Sequence, residues 1–169
     1  MKFLSYTLYM IIDLFDYIGH YGPVILFTIT FYCLIERTPY LTVFIFGSIL
    51  NSFLNSFLKS VLREPRPQGQ IHFIDHNHLI GSNLYGLPSG HAQSVFFSLT
   101  FLYLSNGPIP FMYLMTCITF LTIYQRWKYK RHSIKQLALG AIIGILYGWV
   151  LVYLTKYYLH SYKNNIFVI

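Results

Sequence analysis

Five stretches of almost uninterrupted apolar residues divide this chain of 169 residues. A helix needs about 20 such residues to cross the hydrocarbon core of a bilayer. The pattern predicts five membrane helices, which we place at residues 22–36, 40–62, 90–105, 108–125 and 134–156. The first and the third are short for a crossing, so they require a thinner bilayer or ends that extend past these bounds.

The residues at the two ends of the chain have a different pattern. Residues 1–18 form a weaker apolar stretch with Asp13 and Asp16 on one helical face, which favours an interfacial helix over a first transmembrane helix. Residues 157–169 are polar, and we expect a loose tail there. The predicted fold is all-α: a single domain over residues 1–169, a polytopic bundle of five to six transmembrane helices with its core at 40–156.

Composition supports an integral, multi-pass membrane protein. Apolar residues make up 55% of the chain and charged residues only 10%, whereas a soluble domain carries about a quarter charged residues. The connections between the predicted helices are short except for residues 68–87.

Three polar clusters interrupt the apolar pattern. They are Lys59 with Arg66–Pro67, the run Pro88–His91, and Arg126 with His132. Each stands at the end of a predicted helix. Because successive membrane helices run in opposite directions, all three clusters fall on the same side of the membrane. We therefore expect one site at one membrane face.

Eight of the twelve Lys and Arg residues lie in residues 59–66 and 126–135. The positive-inside rule, by which cytoplasmic loops collect cations, is one explanation. It suits the flanking charges Lys128, Lys130, Arg131 and Lys135. It does not explain Lys59, because Asn51, Asn55 and Lys59 recur at four-residue spacing and share one face of a membrane helix. Such a face usually looks into the bundle or a wet cavity.

These residue types suit a bound phosphate. Arginine offers a planar fork that matches two phosphate oxygens, and lysine supplies a point charge, so Lys59, Arg66 and Arg126 are candidate phosphate ligands. A helix that begins at Ser89 and Gly90 would add free backbone N–H groups. His91 in the same turn is a candidate proton donor.

A stripe at four-residue intervals follows His132, namely Gln136, Gly140, Gly144 and Gly148. The glycines predict close packing against a neighbouring helix. Gln136 lies one turn from His132, so we expect its amide oxygen to accept the Nδ1–H and leave Nε2 facing the anion. A histidine here is also compatible with a plain interfacial side chain, but the nearby cations and His91 favour a catalytic one.

The three clusters resemble, in order, the signature of the type 2 phosphatidic acid phosphatase superfamily of membrane lipid phosphatases. That signature reads Lys, six residues, Arg-Pro; then Pro-Ser-Gly-His; then Ser-Arg, five residues, His, three residues, Asp. The first two motifs are complete here. In the third, Gln125 replaces the serine and Gln136 replaces the aspartate.

One branch of the superfamily, the dolichyl diphosphate phosphatases, is similar at these departures. It carries Gln in place of the Asp and a Tyr-Gly-x-Pro-Ser-Gly-His-x-Gln run, which here is Tyr85–Gly86–Leu87–Pro88–Ser89–Gly90–His91–Ala92–Gln93. The resemblance implies a polyprenyl (dolichyl-type) diphosphate substrate, with phosphatidic acid or another lipid monophosphate as the alternative. Gln125 fits neither branch.

The resemblance also implies a role for each matched residue. His132 would be the nucleophile that forms a phosphohistidine, and His91 would protonate the leaving oxygen and then activate water. Lys59, Arg66 and Arg126 would hold the phosphate, with Ser89 and Gly90 completing the cradle. No metal and no other cofactor is implied, and Gln136→Asp is expected to favour monoester hydrolysis.

The sequence also allows two other interpretations, a zinc site and a non-enzymatic function. Residues 68–87 hold His72, Asp75, His76 and His78, which could bind zinc but are expected to be solvated. An anion channel or scaffold could use the cations, although it would need no nucleophile such as His132. The expected partners are a lipid phosphate or diphosphate and the bilayer, with no nucleic acid. The expected membrane is the endoplasmic reticulum or the plasma membrane. Counting cations predicts that the site faces the cytoplasm, whereas the resemblance to the dolichyl branch implies the lumenal side.

Overall fold

Five α-helices make up the protein in the computed structural model, which describes residues 2–71, 73 and 81–166. They are α1 Lys2–Leu34, α2 Thr38–Leu62, α3 Gly90–Leu104, α4 Ile109–Lys128 and α5 Ile134–Ile166, with a short 3-10 helix at Gly81–Leu84. No strand occurs among the described residues, although an isolated bridge joins Pro65 to Tyr85. The predicted all-α helical bundle is confirmed.

Helix α1 is longer than the sequence pattern predicted. Residues 1–18 and 22–36 were expected to be separate elements, yet one helix, Lys2–Leu34, spans most of both, with Pro23 inside it. Gly19 and Gly22 lie inside the helix, where the absence of a side chain lets α1 pack closely against α4. A Cβ at Gly22 would lie 1.8 Å from Thr122 Oγ1, and one at Gly19 would lie 2.7 Å from Gln125 Cβ.

Helix α5 also exceeds its predicted length. It continues to Ile166, so the expectation of a loose tail from residue 157 is wrong for residues 157–166. This segment contains neither glycine nor proline, and Tyr157, Tyr158 and Tyr162 are exposed along the helix. Aromatic side chains of this kind are typical of helix ends at the membrane interface. Residues 167–169 lie outside the described residues.

Three helices are long and apolar enough to cross a membrane, judged by length and composition over the described residues. They are Asp13–Leu34, Thr38–Leu62 and Ile134–Asn164. The sequence pattern predicted five such helices, and α3 and α4 do not reach this standard. Helix α3 has 15 residues and is about 22 Å long, whereas the buried face of α4 carries Thr119, Thr122, Gln125 and Arg126.

Helix α3 lies at the centre of the bundle and connects the core to the polar end. Its Phe97 and Phe101 pack against Phe44 of α2 in the buried core. On the other side it touches the predicted glycine stripe of α5, where a Cβ at Gly144 would lie 2.3 Å from the Gln93 carbonyl oxygen. This close, parallel packing brings the first turns of α3 and α5 side by side.

Candidate active site

The three polar clusters meet at one end of the bundle, as the alternation of the helices predicted. The end of α2 supplies Lys59, the first turn of α3 supplies His91, and the end of α4 supplies Arg126. His132 lies between α4 and α5. The charges of Lys59, Arg66 and Arg126 all act on the His132 ring, and His91 and His132 interact electrostatically.

His132 is held in a single orientation. Its side chain is buried, and Nδ1 donates a hydrogen bond to the Gly86 carbonyl oxygen at 2.9 Å. Nε2 lies 3.4 Å from Nη1 of Arg66. Because a guanidinium group can only donate, Nε2 carries the lone pair and the proton sits on Nδ1. The nitrogen that faces the cations is therefore the nucleophilic one.

The environment of His132 also keeps the ring neutral. Burial is the largest cause, and it holds the pKa of His132 well below the ordinary value of 6.5. The positive charges of Arg66, Lys59 and Arg126 lower the pKa further, in that order. A neutral imidazole surrounded by cations can attack an anion that neutralises those cations when it binds.

Gln136 does not orient His132, so the predicted hydrogen bond between them is wrong. Its Oε1 accepts from the Ser133 backbone N–H at 3.2 Å, while Ser133 Oγ accepts from the Gln136 N–H at 3.3 Å. This reciprocal pair is a capping box at the start of α5. The amide of Gln136 is drawn to the helix terminus because the N–H groups there have no partner within the helix.

The other half of the Gln136 amide fixes the segment that orients His132. Nε2 donates to the Pro65 carbonyl at 2.8 Å and to Glu64 Oε1 at 3.1 Å. A Cβ at Gly86 would lie 2.4 Å from Gln136 Oε1, and the Gly86 N–H donates to the Glu64 carbonyl at 2.8 Å. Gln136 thus acts on His132 through its neighbours Ser133 and Gly86, and the sequence motif alone did not indicate the role of Gly86.

Arg66 is fixed by backbone carbonyls. Its Nε and Nη2 donate to the Asn83 carbonyl at 3.1 and 2.9 Å, and Nη1 donates to the Arg131 carbonyl at 3.1 Å. Three bonds along a planar group leave its guanidinium little freedom. Arg131 itself, predicted to be a flanking charge, has a buried side chain.

The polar stripe of α2 faces inward, as predicted, and it holds the first turn of α3. Asn51, Asn55 and Lys59 are buried. Gln93 accepts from Asn55 Nδ2 at 2.8 Å through Oε1 and donates from Nε2 to Asn51 Oδ1 at 2.8 Å. Asn55 also donates to the Pro88 carbonyl at 3.3 Å. This network determines where the predicted phosphate cradle lies.

Ser89 and Gly90 form the predicted helix start. Ser89 is the N-cap of α3, and its Oγ accepts from the Ala92 N–H at 3.4 Å. A Cβ at Gly90 would lie 3.0 Å from Asn55 Oδ1, so glycine permits the close approach to α2. The Ser89 N–H is already used, because it donates to the Gln136 carbonyl at 3.0 Å.

His91 and Arg126 share their surroundings with a residue that the sequence reasoning missed, His20 of α1. His91 Nε2 lies 3.2 Å from the His20 carbonyl oxygen. Arg126 is buried, and its Nη2 contacts His91 Nε2 and lies 3.2 Å from His20 Nδ1. The signal was present, since His20 follows Asp16 by one helical turn on the same face of α1.

Two of the predicted flanking lysines, Lys128 and Lys135, take part in ion pairs within the protein. Lys128 pairs with the buried Asp16 at 2.5 Å, and Tyr129 donates to the same carboxylate at 2.9 Å. Burial, followed by the hydrogen bond to Asp16, raises the pKa of Tyr129 to about 12. Lys135 pairs with Glu64 at 2.6 Å, and this hydrogen bond is the main reason why the pKa of Glu64 is lowered.

The long connection after α2 lies partly outside the described residues, including His72, Asp75, His76 and His78. Within the described part of the chain, no cluster of His, Cys, Asp and Glu could hold a metal ion. Phe73 packs its ring against Tyr17, His20 and Tyr129, with centroid separations of 5.0, 6.0 and 5.0 Å. The connection therefore touches α1 beside His20.

The family model of the PAP2 superfamily matches residues 40–159, more than two thirds of the chain. The chain belongs to the PAP2 superfamily. Members of this superfamily are phosphatases, so the protein is a hydrolase that acts on phosphate ester or anhydride bonds. No curated protein and no solved structure matches the chain.

Two features of this PAP2 chain stand apart from the family pattern. The match begins at residue 40, so α1 with Asp16 and His20 lies outside it. Gln125, where the superfamily signature has serine, is fully buried, and its amide nitrogen and oxygen have no hydrogen-bond partner among the described residues.

Proposed function

We propose that the protein is a multi-pass membrane lipid phosphatase of the endoplasmic reticulum or plasma membrane, and that it hydrolyses a polyprenyl diphosphate through a phosphohistidine on His132, without a metal. The observation that carries this proposal is the state of His132. The ring is neutral and buried, and its Nε2 lone pair faces Arg66. A nucleophile beside fixed cations suits attack on a phosphorus atom.

In the proposed reaction, His132 Nε2 attacks the terminal phosphorus and the bond from phosphorus to the leaving oxygen breaks. His91 gives that oxygen a proton. His91 then removes a proton from water, which attacks the phosphohistidine and releases inorganic phosphate and free His132. Lys59, Arg66 and Arg126 stabilise the charge that develops on the phosphoryl oxygens.

The proposed diphosphate preference rests on the residues that resemble the dolichyl diphosphate phosphatase branch, and on the contacts that these residues make. Gly86 orients His132, Gln136 packs against Gly86, and Gln93 joins the two asparagines of α2. An amide at position 136 supplies no negative charge to stabilise an imidazolium. A phosphate leaving group departs more readily than a lipid alkoxide, so it requires less of that help. Phosphatidic acid is the alternative substrate, because the described contacts concern only the phosphate.

A non-enzymatic anion channel or scaffold is the competing class of function. The cations alone would serve it. The fixed Nδ1–H of His132 favours the enzyme, because an anion pathway gains nothing from a lone pair directed at its cations.

The test compares three lipids with purified protein in detergent micelles: a polyprenyl diphosphate, the matching polyprenyl phosphate and phosphatidate. We expect phosphate release to be fastest from the diphosphate and to continue in a chelator. His132→Ala should lower the rate at least about 10³-fold, whereas His160→Ala, a histidine substitution on the exposed part of α5, should not change it. Hydrolysis that survives in folded His132→Ala would refute the mechanism, and a faster rate on phosphatidate would refute the substrate.

A further inference from the structure

Helix α1 lies outside the residues that the family model matches, and it packs tightly against α4 beside the candidate site. Gly19 and Gly22 allow its backbone to approach Gln125 and Thr122 of α4. One turn earlier, the buried Asp16 binds Lys128 and Tyr129. These contacts lie on both sides of His20 along the α4-facing side of α1, so the packing of the two helices fixes the position of His20 relative to Arg126.

His20 contacts both His91 and Arg126, the two candidate site residues that lie nearest to α1. Its Nδ1 lies 3.2 Å from Arg126 Nη2, and since arginine has no acceptor, Nδ1 accepts and the ring proton is on Nε2. Its carbonyl oxygen lies 3.2 Å from His91 Nε2 and 3.5 Å from Arg126 Nη2. The ring also packs against Tyr21 and Phe73, with centroids 4.9 and 6.0 Å away.

We propose that His20 is a positioning residue of the active site, which uses its Nδ1 to hold the Arg126 guanidinium in the orientation that binds phosphate. This inference rests on the proposed phosphatase function. A long arginine side chain loses conformational entropy about several rotatable bonds when it binds an anion, so holding it in place beforehand favours binding. Arg66 meets this need with three hydrogen bonds to two backbone carbonyls, and Arg126 uses His20.

Only one of the Arg126 nitrogens is engaged by the His20 ring. The guanidinium group is a fixed planar fork, so in this proposal a bound phosphate is contacted through Nη1 and Nε while Nη2 stays on His20. Nη2 of Arg126 contacts both His20 Nδ1 and His91 Nε2; in this proposal the contact with His20 is kept when phosphate binds, and only the contact with His91 is given up to the leaving oxygen.

A purely structural role for His20 makes different predictions, and three substitutions separate the two. His20→Phe keeps an aromatic ring for Tyr21 and Phe73 but has no acceptor. His20→Asn replaces Nδ1 by an amide oxygen at a similar distance from the backbone. His20→Ala removes both functions. If packing alone mattered, phenylalanine would be the better replacement, and if the acceptor matters, asparagine would be.

We expect kcat/KM for the lipid diphosphate to fall about 10- to 100-fold in His20→Ala and His20→Phe, the size of effect typical of a lost hydrogen bond to a charged group. Most of the loss should lie in KM, and the inhibition constant of inorganic phosphate should rise in parallel. His20→Asn should stay within about threefold of the wild type. In an Arg126→Ala background, His20→Ala should add less than about twofold, because its effect passes through Arg126.

His160→Ala is the matched control, and thermal unfolding in detergent checks that each variant is folded. If His20→Ala does not fold, the comparison of asparagine with phenylalanine still decides. The inference is overturned if asparagine is no better than phenylalanine, or if the His20 and Arg126 effects are additive. Wild-type protein without phosphatase activity would overturn the proposed function instead, whereas an active wild type, an inactive His132→Ala and an unaffected His20→Ala would overturn this inference alone.

Discussion

The two imidazoles of the site differ in how they are held. His132 is bound through Nδ1 to the backbone carbonyl of Gly86, and its Nε2 faces Arg66 at 3.4 Å. His91 is half-buried, and its Nε2 contacts Arg126 and the carbonyl of His20. The first ring is therefore ready for attack before the substrate arrives. His91, in contrast, has to exchange the partners of its Nε2 when the substrate binds.

This difference follows from what each ring must do in the proposed reaction. A nucleophile benefits from a fixed direction of attack, since orientation reduces the entropic part of the barrier. A general acid and base must reach first a leaving oxygen and then a water molecule. The contacts of His91 with Arg126 and the His20 carbonyl can be replaced by other donors and acceptors. The His91 ring is therefore suited to act on two different partners in turn.

After the loss of His132 itself, the largest effect in this comparison is expected for His91→Gln. The variant loses the proton donor but keeps a polar side chain of similar size, so we expect rates to fall by about 10²- to 10⁴-fold. The loss should be greater for phosphatidate or polyprenyl phosphate than for the diphosphate, because a lipid alkoxide needs the proton more than a phosphate does. Phosphate release from all three substrates measures this. Equal losses on all three would argue against His91 as the proton donor.

The support beneath His132 can be tested through Gln136→Glu. Glutamate keeps the oxygen that accepts from Ser133 but loses the donor to Pro65 and places a carboxylate beside Glu64, which is 3.1 Å from Gln136 Nε2. We expect the variant to lose about 1–3 kcal/mol of unfolding free energy, measured by denaturant or thermal unfolding in detergent. Adding Glu64→Gln should recover part of the loss. A fully stable single variant would contradict this account.

The same geometry changes the expectation for Gln136→Asp. The sequence suggested that an aspartate would stabilise the His132 imidazolium. The Gln136 side chain bonds to Ser133, Pro65 and Glu64 and packs against Gly86, and among the described residues it makes no hydrogen bond to His132. No gain in monoester hydrolysis is therefore expected from that change.

The smallest predicted effect is a shift in pH dependence. The pKa of His132 is lowered by burial and by the nearby cations, so its ring should become protonated, and kcat/KM should fall, only well below pH 6.5. Arg66→Gln removes one of those cations and should raise the pKa of His132, moving the acidic limb to higher pH. Arg66→Lys, which keeps the charge, should leave the limb nearly in place. An unmoved limb in Arg66→Gln would show that another group controls it.

The local sequence determined much of the fold and of the site. Apolar run lengths predicted an all-helical bundle, and the alternation of helices predicted that three polar clusters would meet at one end. The four-residue spacing of Asn51, Asn55 and Lys59 predicted an inward polar face, which is observed. These properties follow from helix periodicity and the cost of exposing polar groups to lipid, both of which operate within a single segment.

Partners across helices were decided only by the tertiary structure. Gln136 and His132 are one turn apart, yet Gln136 caps α5 and packs against Gly86, while the Gly86 carbonyl orients the ring. His20 lies 106 residues from Arg126 in sequence, and no periodicity links them. A hydrogen bond depends on which groups compete for it in space, and the competing carbonyls and amides come from segments whose arrangement the linear pattern does not specify.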